Sequence, residues 1–216
     1  MLLLCNTLQF YESLTIPELP SHNKLKIIND PVYGFITIPT HLVYDVIEHP
    51  WFQRLRHIRQ LGLTCYTYPS AQHTRFQHAL GAMHLMTKAI GVLRSKGIEI
   101  TEKEAEGLSL AILLHDIGHG PFSHTLEQTL VQGIHHEMIS ELFMKALCRE
   151  FGDQMRLALD IFTNRYHKTF LHQLVSSQLD MDRLDYLARD SFFTGVAEGV
   201  ISYDRIINML TVSDNE

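Results

Sequence analysis

The sequence predicts an all-α protein, an irregular helical bundle preceded by a small N-terminal β-hairpin. Three observations lead there. From about residue 40 onward apolar residues recur at three- and four-residue spacing, cap and stop signals separate these runs, and short β-branched runs occur only before Pro39. A chain of 216 residues suffices for one well-buried domain or a domain plus an appendage.

Residues 1–23, with Pro17 and Pro20, show no clear period and are expected to form a lead-in segment; residues 24–216 form the core. Lys24–Ile28 and Phe35–Ile38, around Asn29-Asp30-Pro31 and Gly34, predict the hairpin. Pro39 opens a helix through about Ile47. Pro50 opens the next, expected to carry Trp51, Leu55, Ile58 and Leu61 as far as Gly62. After a loop with Tyr66, Tyr68 and Pro69, a long helix runs from about Thr74 to Lys96 and stops at Gly97. Thr101 and Glu104 form a capping box that starts a helix ending at Gly118, Gly120 and Pro121. His136–Phe151 is amphipathic and closed by Gly152. Helices over Asp153–Tyr166 and His172–Asp190 complete the series.

The balance of 18 Lys+Arg against 24 Asp+Glu leaves a net charge of -6, so a broad nucleic-acid surface is not expected. Three cysteines (Cys5, Cys65, Cys148) suggest neither a disulfide framework nor a zinc ribbon and fit a reducing compartment. The apolar start, Met1–Cys5, lacks a basic lead-in and is too short to span a bilayer. A cytoplasmic protein without membrane partners is expected.

The unusual count is 14 histidines. His78 lies two turns before Leu85 and His115 two turns after Leu108, so both face apolar sides. Asp182 follows Val175 by seven residues and Leu179 by three, and Asp116 adjoins His115. Burying such groups is costly unless they are paired or bound. His78 alone reads first as a satisfied core histidine, but three helices each presenting one such group point to a metal site. Mixed imidazole and carboxylate donors suit one divalent transition metal (Mn, Fe, Zn, Co or Ni), with Mg accompanying substrate phosphates. His119 and His124 nearby could act as acid or base, or orient the ligands. Arg75, Arg183 and Arg189 are candidate phosphate partners.

The run His115-Asp116-Ile117-Gly118-His119-Gly120-Pro121-Phe122-Ser123-His124 closely resembles the signature of one branch of the HD superfamily. That branch contains the sterile-alpha-motif/HD-domain dNTP triphosphohydrolase and the bacterial dGTPases. Lys26–Pro31, Gln53–Arg56, Gln60–Gly62, Thr74–Gly81 and Asp180–Asp190 resemble it in the same order, so the likeness covers roughly residues 24–207. The resemblance implies a metal-dependent hydrolase that splits a deoxynucleoside triphosphate into deoxynucleoside and triphosphate. The alternatives are an HD-type phosphodiesterase or nucleotidase, or a nucleotide-sensing module. It further implies His78, His115, Asp116 and Asp182 as metal ligands, and His119, His124 and His136 as catalytic histidines. Arg75 and Arg183 would contact phosphates, Arg183 replacing a lysine common in the family. Tyr186 and Asp190 would line the sugar pocket, with Gln60 and Leu61 near sugar and base. Lys26, Asn29, Gln53 and Arg56 match a region that binds an activating nucleotide between subunits in some members, which implies a homo-oligomer. Members continue with a further helical part, whereas this chain stops at Glu216 and is expected to be a short member or an N-terminal piece.

Overall fold

The computed structural model describes residues 26–122, 133 and 135–213. The expected lead-in segment and His124 lie outside them. Strand β1 (Ile27–Asp30) pairs antiparallel with β2 (Gly34–Thr37), in register from Ile27↔Thr37 to Asp30↔Gly34. Asp30 closes the turn by accepting from the backbone N–H groups of Val32 (2.9 Å) and Tyr33 (3.1 Å), while Gly34 supplies a φ of 75°. The hairpin is the expected one, with Asn29 and Asp30 in its first strand.

Nine α-helices follow among the described residues: α1 (His41–Glu48), α2 (Pro50–Gln53), α3 (Arg75–Ser95), α4 (Glu102–Leu114), α5 (His136–Phe151), α6 (Asp153–Phe162), α7 (Thr169–Val175), α8 (Met181–Thr194) and α9 (Tyr203–Met209). Helix α4 begins at the Thr101 box, where Thr101 Oγ1 accepts from Glu104 N and Glu104 accepts from Thr101 N at 2.7 Å. From Gly107 to Leu114 every residue of α4 is buried, as befits a central helix hydrophobic on all sides. It packs against α3 and α6, and α8 also packs against α3. The core is one continuous cluster that also takes in Ile36 of the hairpin and Val43 of α1. No helix among the described residues is long and apolar enough to cross a membrane.

Two expected helices end early, α4 at Leu114 rather than Gly118 and α6 at Phe162 rather than Tyr166, and two others differ in course. The segment opened by Pro50 is helical only to Gln53 and continues as a 3-10 turn over Arg54–His57. Residues 58–60 instead run beside residues 73–75: Arg59 bridges Thr74, Gln60 N donates to His73 O (3.0 Å) and Arg75 N to Ile58 O (2.9 Å). That pairing takes the backbone groups a helix through Leu61 would have used. The expected helix His172–Asp190 is broken between Val175 and Met181. Asp180 breaks it, because its carboxylate accepts from Ser177 N and Arg183 N, both at 2.7 Å, and so caps a new helix.

Candidate metal centre

Helix α3 contributes Arg75 and His78 at its N-terminal end, and His78 is wholly buried like Leu85 two turns later. Helix α4 delivers His115 as its C-cap, and a tight turn carries Asp116, Ile117, Gly118 and His119. Two outside groups hold this turn. Ser140 of α5 donates to His115 O (2.7 Å) and accepts from Gly118 N (2.9 Å). Arg54 donates to His119 O (2.8 Å) and to Ile117 O. Asp182 comes from the first turn of α8.

These side chains converge. His78 Nε2 stands 3.3 Å from His115 Nε2, 2.9 Å from Asp182 Oδ1 and 3.8 Å from Asp116 Oδ2. His115 Nε2 is 3.3 Å from Asp182 Oδ1 and 3.4 Å from Asp116 Oδ1. Atoms bound about 2.1 Å from one ion stand roughly 3.0–3.4 Å apart, so these contacts trace edges of a coordination shell. The outer nitrogens set the donor character of the inner ones. His115 Nδ1 lies 2.6 Å from Ile112 O, which can only accept, and His78 Nδ1 lies 2.7 Å from the Asp185 carboxylate. Both Nδ1 atoms therefore carry protons, and in neutral imidazoles both Nε2 lone pairs point into the cluster. The donor set fits a transition metal better than Mg or Ca.

Electrostatics agree. Burial disfavours charge on His78, yet hydrogen bonds to Asp182 and Asp185 outweigh it and push the imidazole up to about 10. His115 is likewise opposed by burial and raised by Asp116 and Asp182. Against the same burial, His115 and Arg75 hold Asp116 well below the usual carboxylate range, and His115 and His78 do so for Asp182. The cluster thus retains protons where a divalent cation would place its charge. His119, at 3.2 Å from Asp116 Oδ1, is lowered to about 4 by burial despite that carboxylate, and stacks on His136 with centroids 3.8 Å apart.

The remaining expected residues fall into two groups. Arg75 is buried and pairs with Asp116, while its Nε has no hydrogen-bond partner among the described residues. Asp182, Tyr186 and Asp190 share one stripe of α8 at four-residue spacing, and Arg183 beside them is exposed. Asp190 contacts His73 at 2.7 Å, and Gln60 N donates to the backbone oxygen of the same His73, so Gln60 and Asp190 meet at His73, with Leu61 next in sequence to Gln60. Arg189 is the correction. It is fully buried and locked to Asp185 and Asp30, so it is not a phosphate partner. The apolar line invoked for Asp182 is also wrong, since Leu179 is 47% exposed and precedes the new helix. Sequence reasoning missed Asp185, Asp30 and Ser140; each acts through a tertiary contact, and only Asp185, four residues before Arg189, leaves a trace as an i,i+4 ion pair.

Buried His78, His115 and Asp116, with half-buried Asp182 beside them, form a cluster of the His, His-Asp and Asp type in an all-α bundle, and the first three could hold a metal ion. The HD-domain family model matches residues 75–190, which span the whole cluster, and the chain belongs to the HD-domain superfamily of metal-dependent phosphohydrolases. It is 32% identical over 215 residues to the Deoxynucleoside triphosphate triphosphohydrolase SAMHD1 homolog of Dictyostelium discoideum, covering 91% of this chain and 41% of that one. It is 32% identical over 235 residues to the Deoxynucleoside triphosphate triphosphohydrolase SAMHD1 of Homo sapiens, covering 89% and 37%. A solved phosphohydrolase of Bacteroides thetaiotaomicron superposes with a TM-score of 0.85 at 61% identity, over 88% of this chain and 48% of that one. The chain therefore spans less than half the length of these relatives.

Proposed function

We propose that the chain is the core of a metal-dependent phosphohydrolase that converts a deoxynucleoside triphosphate to deoxynucleoside and triphosphate. The observation that carries this reading is the convergence of His78 and His115 Nε2 with the Asp116 and Asp182 carboxylates, each outer nitrogen being tied as a donor. The two relatives named as triphosphohydrolases support the substrate class. His78, His115, Asp116 and Asp182 would hold the ion. When bound, a divalent metal polarises a phosphoryl oxygen and makes a hydroxide nucleophile accessible near neutral pH.

The chain's own groups supply the rest. Arg75, whose Nε is unpartnered among the described residues, balances charge at the reacting phosphoryl group, and exposed Arg183 meets the outer phosphates. Attack at the α-phosphorus breaks its bond to the sugar 5′ oxygen, which must then take up a proton. Neutral His119 suits orienting Asp116 or accepting a proton, which leaves His136 or His124 to deliver one. Tyr186, Asp190, Gln60 and Leu61 contact the nucleoside. Product analysis with manganese-loaded protein and each dNTP tests this, with Asp116→Ala as control. Deoxynucleoside plus triphosphate, absent in the variant, is expected. Release of orthophosphate or a monophosphate would assign another phosphoester reaction, and no turnover with metal bound would favour a nucleotide-sensing module.

A further inference from the structure

We propose that Asp30, Arg189 and Asp185 form a buried positioning chain, through which the N-terminal hairpin orients His78 for metal binding. The inference rests on the metal reading above and adds three residues that touch neither ion nor substrate.

The links are direct. Asp185 accepts from His78 Nδ1 at 2.7 Å across 107 residues of sequence. Arg189, one turn further along α8, donates through Nε to Asp185 Oδ2 (2.9 Å) and through Nη2 to Asp185 Oδ1 (3.0 Å). Its other edge donates through Nη1 to Asp30 Oδ2 (2.7 Å), 159 residues away in the hairpin. Asp185 and Arg189 are 0% exposed and Asp30 only 7%. A guanidinium held on both edges cannot swing, so the carboxylate it clamps presents a fixed acceptor to His78. Fixing the proton on Nδ1 leaves Nε2 facing His115 and Asp182, and such outer partners set both ring orientation and ligand basicity.

Helix α3 is cut to receive this chain. A Cβ on Gly81 would lie 2.0 Å from Asp185 Oδ1 and 2.2 Å from Arg189 Nη2. Gly81 follows His78 by three residues on the same face, so ligand and notch sit side by side. A pair of buried charges is seldom worth its desolvation as a mere fastener, and apolar replacements are often as stable. The outer member is the informative one. Asp30 serves its turn through Oδ1, which Asn retains along with a longer contact from Arg189 Nη2 (3.4 Å), whereas Oδ2 accepts the short bond from Arg189 Nη1 that Asn would lose.

The test uses Asp30→Asn, Asp185→Asn and the double variant, with circular dichroism to establish folding. Zinc affinity is measured by competition with a chromophoric chelator. Independently, the His78 Nδ1–H resonance is followed by NMR in zinc-free protein. Asp185→Asn is expected to weaken zinc binding about 10- to 100-fold. Asp30→Asn should weaken it several-fold and speed exchange of the Nδ1–H proton, and the double variant should be no worse than Asp185→Asn alone. An Asp30→Asn protein with wild-type zinc affinity and wild-type Nδ1–H exchange would overturn the proposal. If wild-type protein binds no zinc, the metal reading fails, and the Nδ1–H signal alone decides whether Asp30 holds the ring. Should Asp30→Asn not fold, Asp30→Asn/Arg189→Met removes both charges together, and the same readouts decide.

Discussion

Gly118→Ala will be among the most damaging single-methyl changes in this protein. The added Cβ would lie 2.2 Å from His136 O and 2.5 Å from Ser140 N, both backbone atoms in the first turn of α5, and 2.8 Å from Ser140 Oγ. Backbone cannot rotate aside, so α5 must retreat by about 1 Å to restore ordinary contact. Overpacking of this kind costs about 1–3 kcal/mol. Retreat also stretches the Ser140 bonds to His115 O and Gly118 N, each worth about 1 kcal/mol. A total of about 3–5 kcal/mol corresponds to a fall in Tm of roughly 6–20 °C for a domain of this size. Gly91→Ala is the matched control, because its Cβ meets nothing on the exposed side of α3 and it should gain about 0.8–1 kcal/mol of helix propensity. Thermal unfolding by circular dichroism compares the two. Equal melting temperatures would refute the steric reasoning.

Metal uptake near pH 7 should release between about one and two protons, since His78 and His115 are both raised in the ion-free cluster and must lose their charge to ligate. Calorimetry in buffers of different ionisation enthalpy measures this, and a buffer-independent heat would contradict it. Affinity should accordingly fall as pH falls. Glu104 is held down to about 2: burial opposes this, but Lys168, the Thr101 N–H and Tyr166 outweigh it. A depressed carboxylate stabilises the fold above its unfolded pKa and loses that contribution as pH drops from about 4.5 toward 2, a loss of up to about 3 kcal/mol. Glu104→Gln should flatten the acid limb of the stability curve; parallel curves for the two proteins would count against the assignment. His115→Ala should lose metal and hydrolysis while keeping its helical spectrum, and a metal-free active variant would sink the site.

Helix boundaries written in local chemistry were legible beforehand. Thr101 with Glu104 and Gly152 after Phe151 mark their helix ends at the expected residues. Where a long-range contact competes, the local signal misleads: residues 58–60 follow the Pro50 pattern but pair with residues 73–75, and Asp180 looks like one more polar residue until its carboxylate is seen capping α8. The candidate site divides the same way. His78 and His115 stand out because apolar neighbours at seven-residue spacing betray their burial, whereas Asp182 reaches the cluster along a different route from the one its neighbours suggest. Arg189 carries no clear sequence mark of burial, because its i,i+4 pair with Asp185 looks like any solvated helix pair and its second acid lies in a strand 159 residues earlier.

That separation also governs the order in which the protein can come into being. His78 and His115 leave the ribosome well before Asp182, Asp185 and Arg189, and at about 5–20 residues per second the interval from His78 to Arg189 lasts roughly 5–20 s. During that time the nascent chain has two imidazoles and one carboxylate, but neither the fourth donor nor the clamp on His78. The full cluster of four side chains forms only once the last long helix has docked against α3 and the hairpin. On the metal reading proposed above, the geometry that the four groups offer an ion is therefore a property of the finished fold rather than of any segment made before α8.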